Sequence, residues 1–201
     1  MAKAKPSQSK APKKSASPAQ DFYAKFFKLV ETRGWFSLTL PEIATATGVG
    51  LPQLLERYPD KSDILNGFGR TLDLQLAQDV TISDDPLKDK LFDLVMQRLD
   101  ALRPYRGGIL RLIGDIQAHP VSAVMLGLET MCGFNRSMAL MLDMSGKPIS
   151  HPSVVLAVMG LKIVYVSTLR TWKHDESADL SATMAILDRG LNRLIKVLHL
   201  N

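Results

Sequence analysis

The chain has 201 residues, 46% of them hydrophobic and 6% aromatic, with a formal net charge of +5. That length suits one large unit or two small ones around a buried core. The single cysteine, Cys132, excludes an internal disulfide framework and any cysteine-rich metal site. It is expected to be an inert buried thiol in a reducing, cytoplasmic setting.

The start, MAKAKPSQSK, lacks the apolar stretch of a secretory signal. Lys3, Lys5, Lys10, Lys13 and Lys14 are the only charged residues among the first 20, and the other 20 basic residues are matched by 20 acidic ones. The whole excess of positive charge therefore sits in segment 1–17. Rich in Lys, Ala, Ser and Pro, that segment is expected to be a disordered basic tail. It serves either as a solubilising end or as an arm along DNA phosphates, where each lysine displaces a counterion.

Every later element reads as helix. Ser17-Pro18 starts the first, with Phe22, Phe26, Phe27, Leu29 and Val30 as its apolar face and Gly34 as its stop. Thr39 to Glu42 is a T-x-x-E capping box for a second helix ending at Thr47. Gly48-Val49-Gly50 turns the chain into a short third helix, Leu51 to Arg57, in which Pro52 is tolerated in the first turn. Asp60 can cap a fourth helix carrying Ile64, Leu65 and Phe68. Asp84-Asp85-Pro86 opens a helix with Leu87, Leu91, Leu94, Val95, Arg98 and Leu102 at helical spacing. Pro104 and Gly107-Gly108 mark a break. A further segment ends near His119-Pro120, and a long helix follows from Val121 to about Asp143.

The last two helices carry seven-residue repeats. Val154, Val158, Leu161, Tyr165, Thr168 and Trp172 form one, and Leu180, Met184, Leu187, Leu191, Leu194 and Leu198 the other. The first of the pair is also apolar off that stripe, at Val155, Leu156, Met159, Ile163, Val164 and Val166. A helix apolar all round is buried on more than one side. A dimer interface is expected on the repeat stripes, through Val154, Val158, Leu161, Tyr165, Trp172, Leu180, Met184, Leu187, Leu191 and Leu194. The run Val154 to Leu169 is interrupted by Lys162 and falls short of the roughly 20 residues a bilayer requires, so no membrane span is expected.

The sequence offers no catalytic constellation. His119, His151, His174 and His199 lie beside breaks or the chain end, and no two of them have a metal-ligand spacing. Asp84-Asp85 and Asp175-Glu176 are helix-start acids. Gly107-Gly108 lacks the preceding strand and following lysine of a phosphate loop. Neither an enzyme nor a cofactor is expected.

The layout resembles the TetR family of bacterial transcriptional regulators. Thr39, Ile43, Ala44, Gly48, Val49, Leu54, Tyr58, Lys61, Ile64 and Leu65 fall at positions matching that family's helix-turn-helix pattern, and residues 20–68 carry the likeness. The resemblance implies an all-α fold of about nine helices. A helix-turn-helix unit would span 18–68, and a helical ligand-binding and dimerisation unit 69–201. It implies a homodimeric regulator, acting as a repressor, that binds a double-stranded DNA operator and a small apolar ligand. DNA contacts are expected from Thr39, Gly50, Leu51, Gln53, Arg57, Tyr58 and Lys61. Among them Lys61 would reach a phosphate, while Gln53 and Arg57 would read adenine and guanine.

Gly50 replaces the usual capping Ser or Thr, Leu55 a phosphate-touching Tyr, and Glu56 adds an acid. From 21 to 66 there are five basic and six acidic residues, so the reading unit itself is about neutral. The chain is also similar, at Leu102-Arg103-Pro104-Tyr105 and in its methionine-rich middle, to the lipid-binding proteins of ubiquinone biosynthesis. That resemblance implies the same fold without operator reading. Met125, Met131, Phe134, Met138 and Met141 are the candidate pocket residues; ordinary core filling is the alternative for the methionines.

Overall fold

The computed structural model describes residues 17–80, 84–146 and 153–199. Residues 1–16 of the expected basic tail and His151 lie outside them. The described residues form nine α-helices and one 310 turn: α1 (Pro18–Arg33), α2 (Leu40–Thr47), α3 (Leu51–Arg57), α4 (Lys61–Asp79), α5 (Leu87–Leu102), the turn Arg103–Tyr105, α6 (Arg106–Ala118), α7 (Pro120–Met144), α8 (Ser153–Trp172) and α9 (Ser181–Leu198).

Local chemistry sets most of the boundaries. Ser17 Oγ accepts the Gln20 amide while Gln20 Oε1 accepts the Ser17 amide, closing a capping box at α1. Gly34 ends that helix at φ 80°, and Gly48 ends α2 in the left-handed region at φ 74°. Asp60 caps α4 by accepting the Asp63 amide at 2.9 Å. α4 runs unbroken through the expected unit boundary at 68/69.

Gly107 and Gly108 do not break the chain. They lie in the first turn of α6, where a Cβ on Gly108 would sit 2.3 Å from the Phe27 carbonyl oxygen of α1. Glycine there lets two helices meet backbone to backbone. Leu180, expected within the last helix, instead precedes it, with φ 54°. Cys132 is exposed on α7, not buried.

The aromatic core ties the amino-terminal unit to the rest. Phe27 of α1, Phe68 of α4 and Tyr105 of the 310 turn form a triangle with ring centroids 4.6 to 5.5 Å apart. α8 and α9 pack closely because both carry a glycine at the seam. A Cβ on Gly160 would meet Leu194 Cδ1 at 2.2 Å, and one on Gly190 would meet Val164 Cγ1 at 2.9 Å.

The repeat stripes face inward. Leu161, Tyr165, Trp172, Leu180, Leu187, Leu191 and Leu194 are buried within one chain, and Val154, Val158 and Met184 are half-buried. They do not form the surface expected for a partner, because α8 and α9 spend those residues on each other and on the core. The off-stripe residues Val155, Leu156, Met159 and Ile163 are the exposed ones, joined by Val197 of α9. Among the described residues α8 alone is long and apolar enough, by length and composition, to cross a membrane. Its Lys162 is used locally, donating to Asn135 Oδ1 at 2.7 Å.

Candidate DNA interface and interior cavity

α1, α2 and α3 assemble around a shared core in which Ile43, Ala44 and Leu54 are buried. α2 and α3 are joined by the tight Gly48 turn, with the Val49 amide donating to the Ala44 carbonyl at 3.1 Å. This places α3 on the outside of the unit, and Pro52, Gln53, Leu55, Glu56 and Arg57 are its exposed residues.

The expected DNA contacts divide. Gly50 and Gln53 are exposed at the start of α3, and Gly50 supplies no side-chain cap. Leu51 is half-buried against the core. Arg57 lies over the Tyr58 ring at 5.3 Å and borders a groove made by the start of α1, the second half of α4 and the end of α5. Thr39 is exposed, but its amide and hydroxyl both donate to Glu42 Oε2 at 2.9 Å. Those hydrogen bonds, with Arg33 at 3.0 Å from Glu42, hold the Glu42 carboxyl below its ordinary pKa. An ionised acid, paired with Arg33, therefore occupies the amino end of α2.

Two expected contacts are corrected. Tyr58 is buried, and its hydroxyl lies 2.8 Å from that of Tyr23. Lys61 does not reach outward. Its Nζ donates to the carbonyls of Trp35 at 2.8 Å and Leu38 at 3.0 Å, and sits 4.7 Å from the Trp35 ring centroid. Half-buried there, its pKa is lowered by desolvation. It closes the loop between α1 and α2.

A cavity of about 440 Å³ lies between α1, α4, α5, α6, α7 and α8. Of the expected pocket residues only Phe134 lines it. Met138 and Met141 are fully buried core, and Met125 and Met131 are exposed on the outer face of α7. The walls are mostly apolar, with Phe27, Phe68 and Leu112 among them; Asn66, Thr130, Ser137 and Tyr165 add polar groups, and Arg98 is the one charged residue among the described residues that line it. Arg98 pairs with buried Asp73, whose other oxygen accepts Ser137 Oγ at 2.7 Å.

α6 connects three regions. At its start Arg106 donates to the carbonyls of Trp172, Lys173 and Asp175, at 3.2 to 3.3 Å, closing the end of α8. Its middle lines the cavity through Ile109, Leu112 and Ile116. Near its end Asp115 Oδ2 accepts the Trp35 amide at 2.6 Å, while Arg111 Nε holds Oδ1 at 2.9 Å.

This arrangement matches solved structures throughout its length. The crystal structure of a TetR transcriptional regulator from Nitrosomonas europaea ATCC 19718 superposes with TM-score 0.65 at 16% identity, covering 90% of this chain and 99% of that one. The fold is the TetR fold. A TetR regulator from Rhodococcus sp. RHA1 gives 0.54 at 14% identity over 89% and 94% of the two chains. A protein described as of the TetR family, from Mesorhizobium loti MAFF303099, gives 0.52 at 12% identity over 90% and 96%. No protein-family model matches the sequence, and no curated protein does. α1 to α3 are the helices expected to form the helix-turn-helix unit. Among the described residues no group of His, Cys, Asp and Glu is placed to hold a metal ion.

Proposed function

We propose that the chain is a cytoplasmic, homodimeric, ligand-responsive transcriptional regulator, acting as a repressor, with no catalytic role. The observation that carries this reading is α6, bonded to the DNA-side loop at one end and to the end of α8 at the other, with the cavity along its middle. A small apolar ligand that fills the cavity pushes on Ile109, Leu112 and Phe27. Any shift of α6 then moves Trp35 and the helix-turn-helix with it. The ligand acts by favouring one spacing of the two units in a dimer over another. The second copy covers Val155, Leu156, Met159 and Ile163.

DNA reading rests on Gln53, the exposed polar side chain at the start of α3. Phosphate attraction rests on the lysine tail, because Lys61 is engaged internally and Glu56 adds an exposed acid to α3. Deleting residues 1–16 removes five lysines and lowers the salt slope of DNA binding by about 4 to 5 units. The direct test is selection of bound sequences from random DNA. A recovered pseudo-palindrome supports the regulator. No motif at low salt overturns it.

The alternative is a lipid- or hydrophobe-binding protein that keeps the fold without operator reading. The observation favouring it is the acid-flanked, nearly neutral face around α3. It predicts the same cavity and no selected DNA motif.

A further inference from the structure

The cavity's polar corner carries information about the ligand. Arg98 is 4% exposed and Asp73 6%, so both charges are withdrawn from water. They neutralise each other, and Ser137 closes the group by donating to Asp73. A guanidinium has five N–H donors. Here Nη1 serves Asp73, Nη2 reaches the Ser137 oxygen at 3.4 Å, and the Tyr165 hydroxyl lies beside the guanidinium. Among the described residues Arg98 Nε has no acceptor. A buried donor left unmade is costly, and a ligand that supplies the acceptor recovers that cost on binding.

The charge balance decides which acceptor fits. Arg98 is the only charged residue lining the cavity, and Asp73 has already cancelled it. A ligand carboxylate would bring a net negative charge into an apolar chamber and crowd Asp73, with no free cation to meet it. A carbonyl oxygen brings a lone pair without a charge. The remaining walls are mostly apolar, from Phe27 and Phe68 to Leu169, with Asn66, Thr130 and Tyr165 as their other polar groups, and suit a body that is largely apolar or aromatic.

We infer that the cavity selects a neutral amphipathic ligand, an apolar body with one carbonyl-type acceptor placed at Arg98, and rejects the corresponding acid. This deepens the proposed function and rests on its reading of the cavity as the ligand site. The polar corner joins α4, α5 and α7, so the ligand would bridge those helices to Phe27 of α1.

The test uses three probes of nearly equal shape with the full chain: benzylacetone, a ketone; butylbenzene, its hydrocarbon counterpart; and hydrocinnamate, its acid counterpart. Calorimetry at pH 7 is expected to show benzylacetone bound about tenfold more tightly than either of the others, the range of a hydrogen bond to a charged donor after desolvation. The infrared carbonyl stretch of bound benzylacetone is expected to move to lower frequency than in an apolar solvent. The double variant R98M/D73L removes both charges together, so neither is left alone in the core. It is expected to hold butylbenzene within about threefold and to lose the ketone preference. Equal binding of butylbenzene and benzylacetone, tightest binding of hydrocinnamate, an unshifted carbonyl band, or a ketone preference surviving in R98M/D73L overturns the inference and leaves the cavity reading standing. Failure of all three probes to bind overturns both. The wild-type comparison and the infrared shift decide the matter even if the double variant does not fold.

Discussion

Asp115 of α6 accepts the backbone amide of Trp35 at 2.6 Å, across 80 positions of sequence. Trp35 follows Gly34, whose φ of 80° ends α1 and whose missing Cβ leaves room for the Arg111 and Asp115 side chains of α6. The Arg111 side chain holds the other carboxylate oxygen and fixes its aim. This bond is the polar tie between α6 and the loop leading into α2. Asp115→Ala is expected to destabilise the fold by about 1–3 kcal/mol, the cost of stranding a part-buried amide. Hydrogen exchange at the Trp35 amide should rise in that variant while α6 keeps its helical signal. Unchanged exchange at Trp35 would show that the tie is not made in solution.

Lys61 is a similar tie that sequence alone assigns to DNA. With Nζ shared between the carbonyls of Trp35 and Leu38, Lys61→Met strips two acceptors of their donor. A loss of about 1–3 kcal/mol in urea unfolding is expected, with no change in the salt slope of DNA binding. A phosphate contact would give the opposite pattern: little change in stability and a slope smaller by about one.

What the sequence reveals, and what it hides, follows from range. Caps and stops act within four residues, so Ser17, Gly34, Thr39, Gly48 and Asp60 are legible, and the helices with them. Lys61 shows its position but not its partners, because Trp35 and Leu38 lie more than 20 residues away. The Met positions on α7 show helical spacing but not which face meets the core. Met138 and Met141 point in, while Met125 and Met131 point out. The polar corner leaves one trace in the sequence. Arg98 stands on the apolar stripe of α5 beside Leu94, Val95 and Leu102, and a charge in such a row needs a buried counterion. Asp73 cannot be singled out as that counterion until α4 is laid against α5.

Asp175 sets the acid behaviour of the α8–α9 connection. Its carboxylate accepts the hydroxyl of Ser177 and the hydroxyl and amide of Thr183, and these bonds hold its pKa far below the usual carboxylate range. A depressed carboxylate stabilises the fold above its unfolded pKa, near 3.9, and loses that contribution as pH falls through the folded value. Asp175→Asn should therefore be less stable than wild type at pH 7. The gap should shrink once pH drops below about 4. Thermal unfolding followed from pH 7 down to pH 2 checks this, and a gap that stays constant with pH would overturn the assignment.

The two sides of α8 make a sharper contrast, because the repeat pattern and the structure assign them oppositely. Leu161 lies on the seven-residue stripe and is fully buried, so Leu161→Ala should cost about 2–5 kcal/mol in the folding of each chain. Met159 and Ile163 lie off the stripe, 55% and 69% exposed, one turn apart and on the side away from Leu161. A carboxylate there touches solvent in a single chain but would be desolvated against the apolar face of a second copy. Met159→Glu and Ile163→Glu should each weaken dimerisation by about a hundredfold, read as a shift to monomer in sedimentation at micromolar concentration, with helical content unchanged. If the stripe were the interface, Leu161→Ala would be the variant that dissociates, and the two glutamates would leave the dimer intact. The glycines at the α8–α9 seam explain why the stripe is occupied. Gly160 and Gly190 let Leu194 of the stripe and the off-stripe Val164 enter the opposite helix surface, so both side chains are used within one chain.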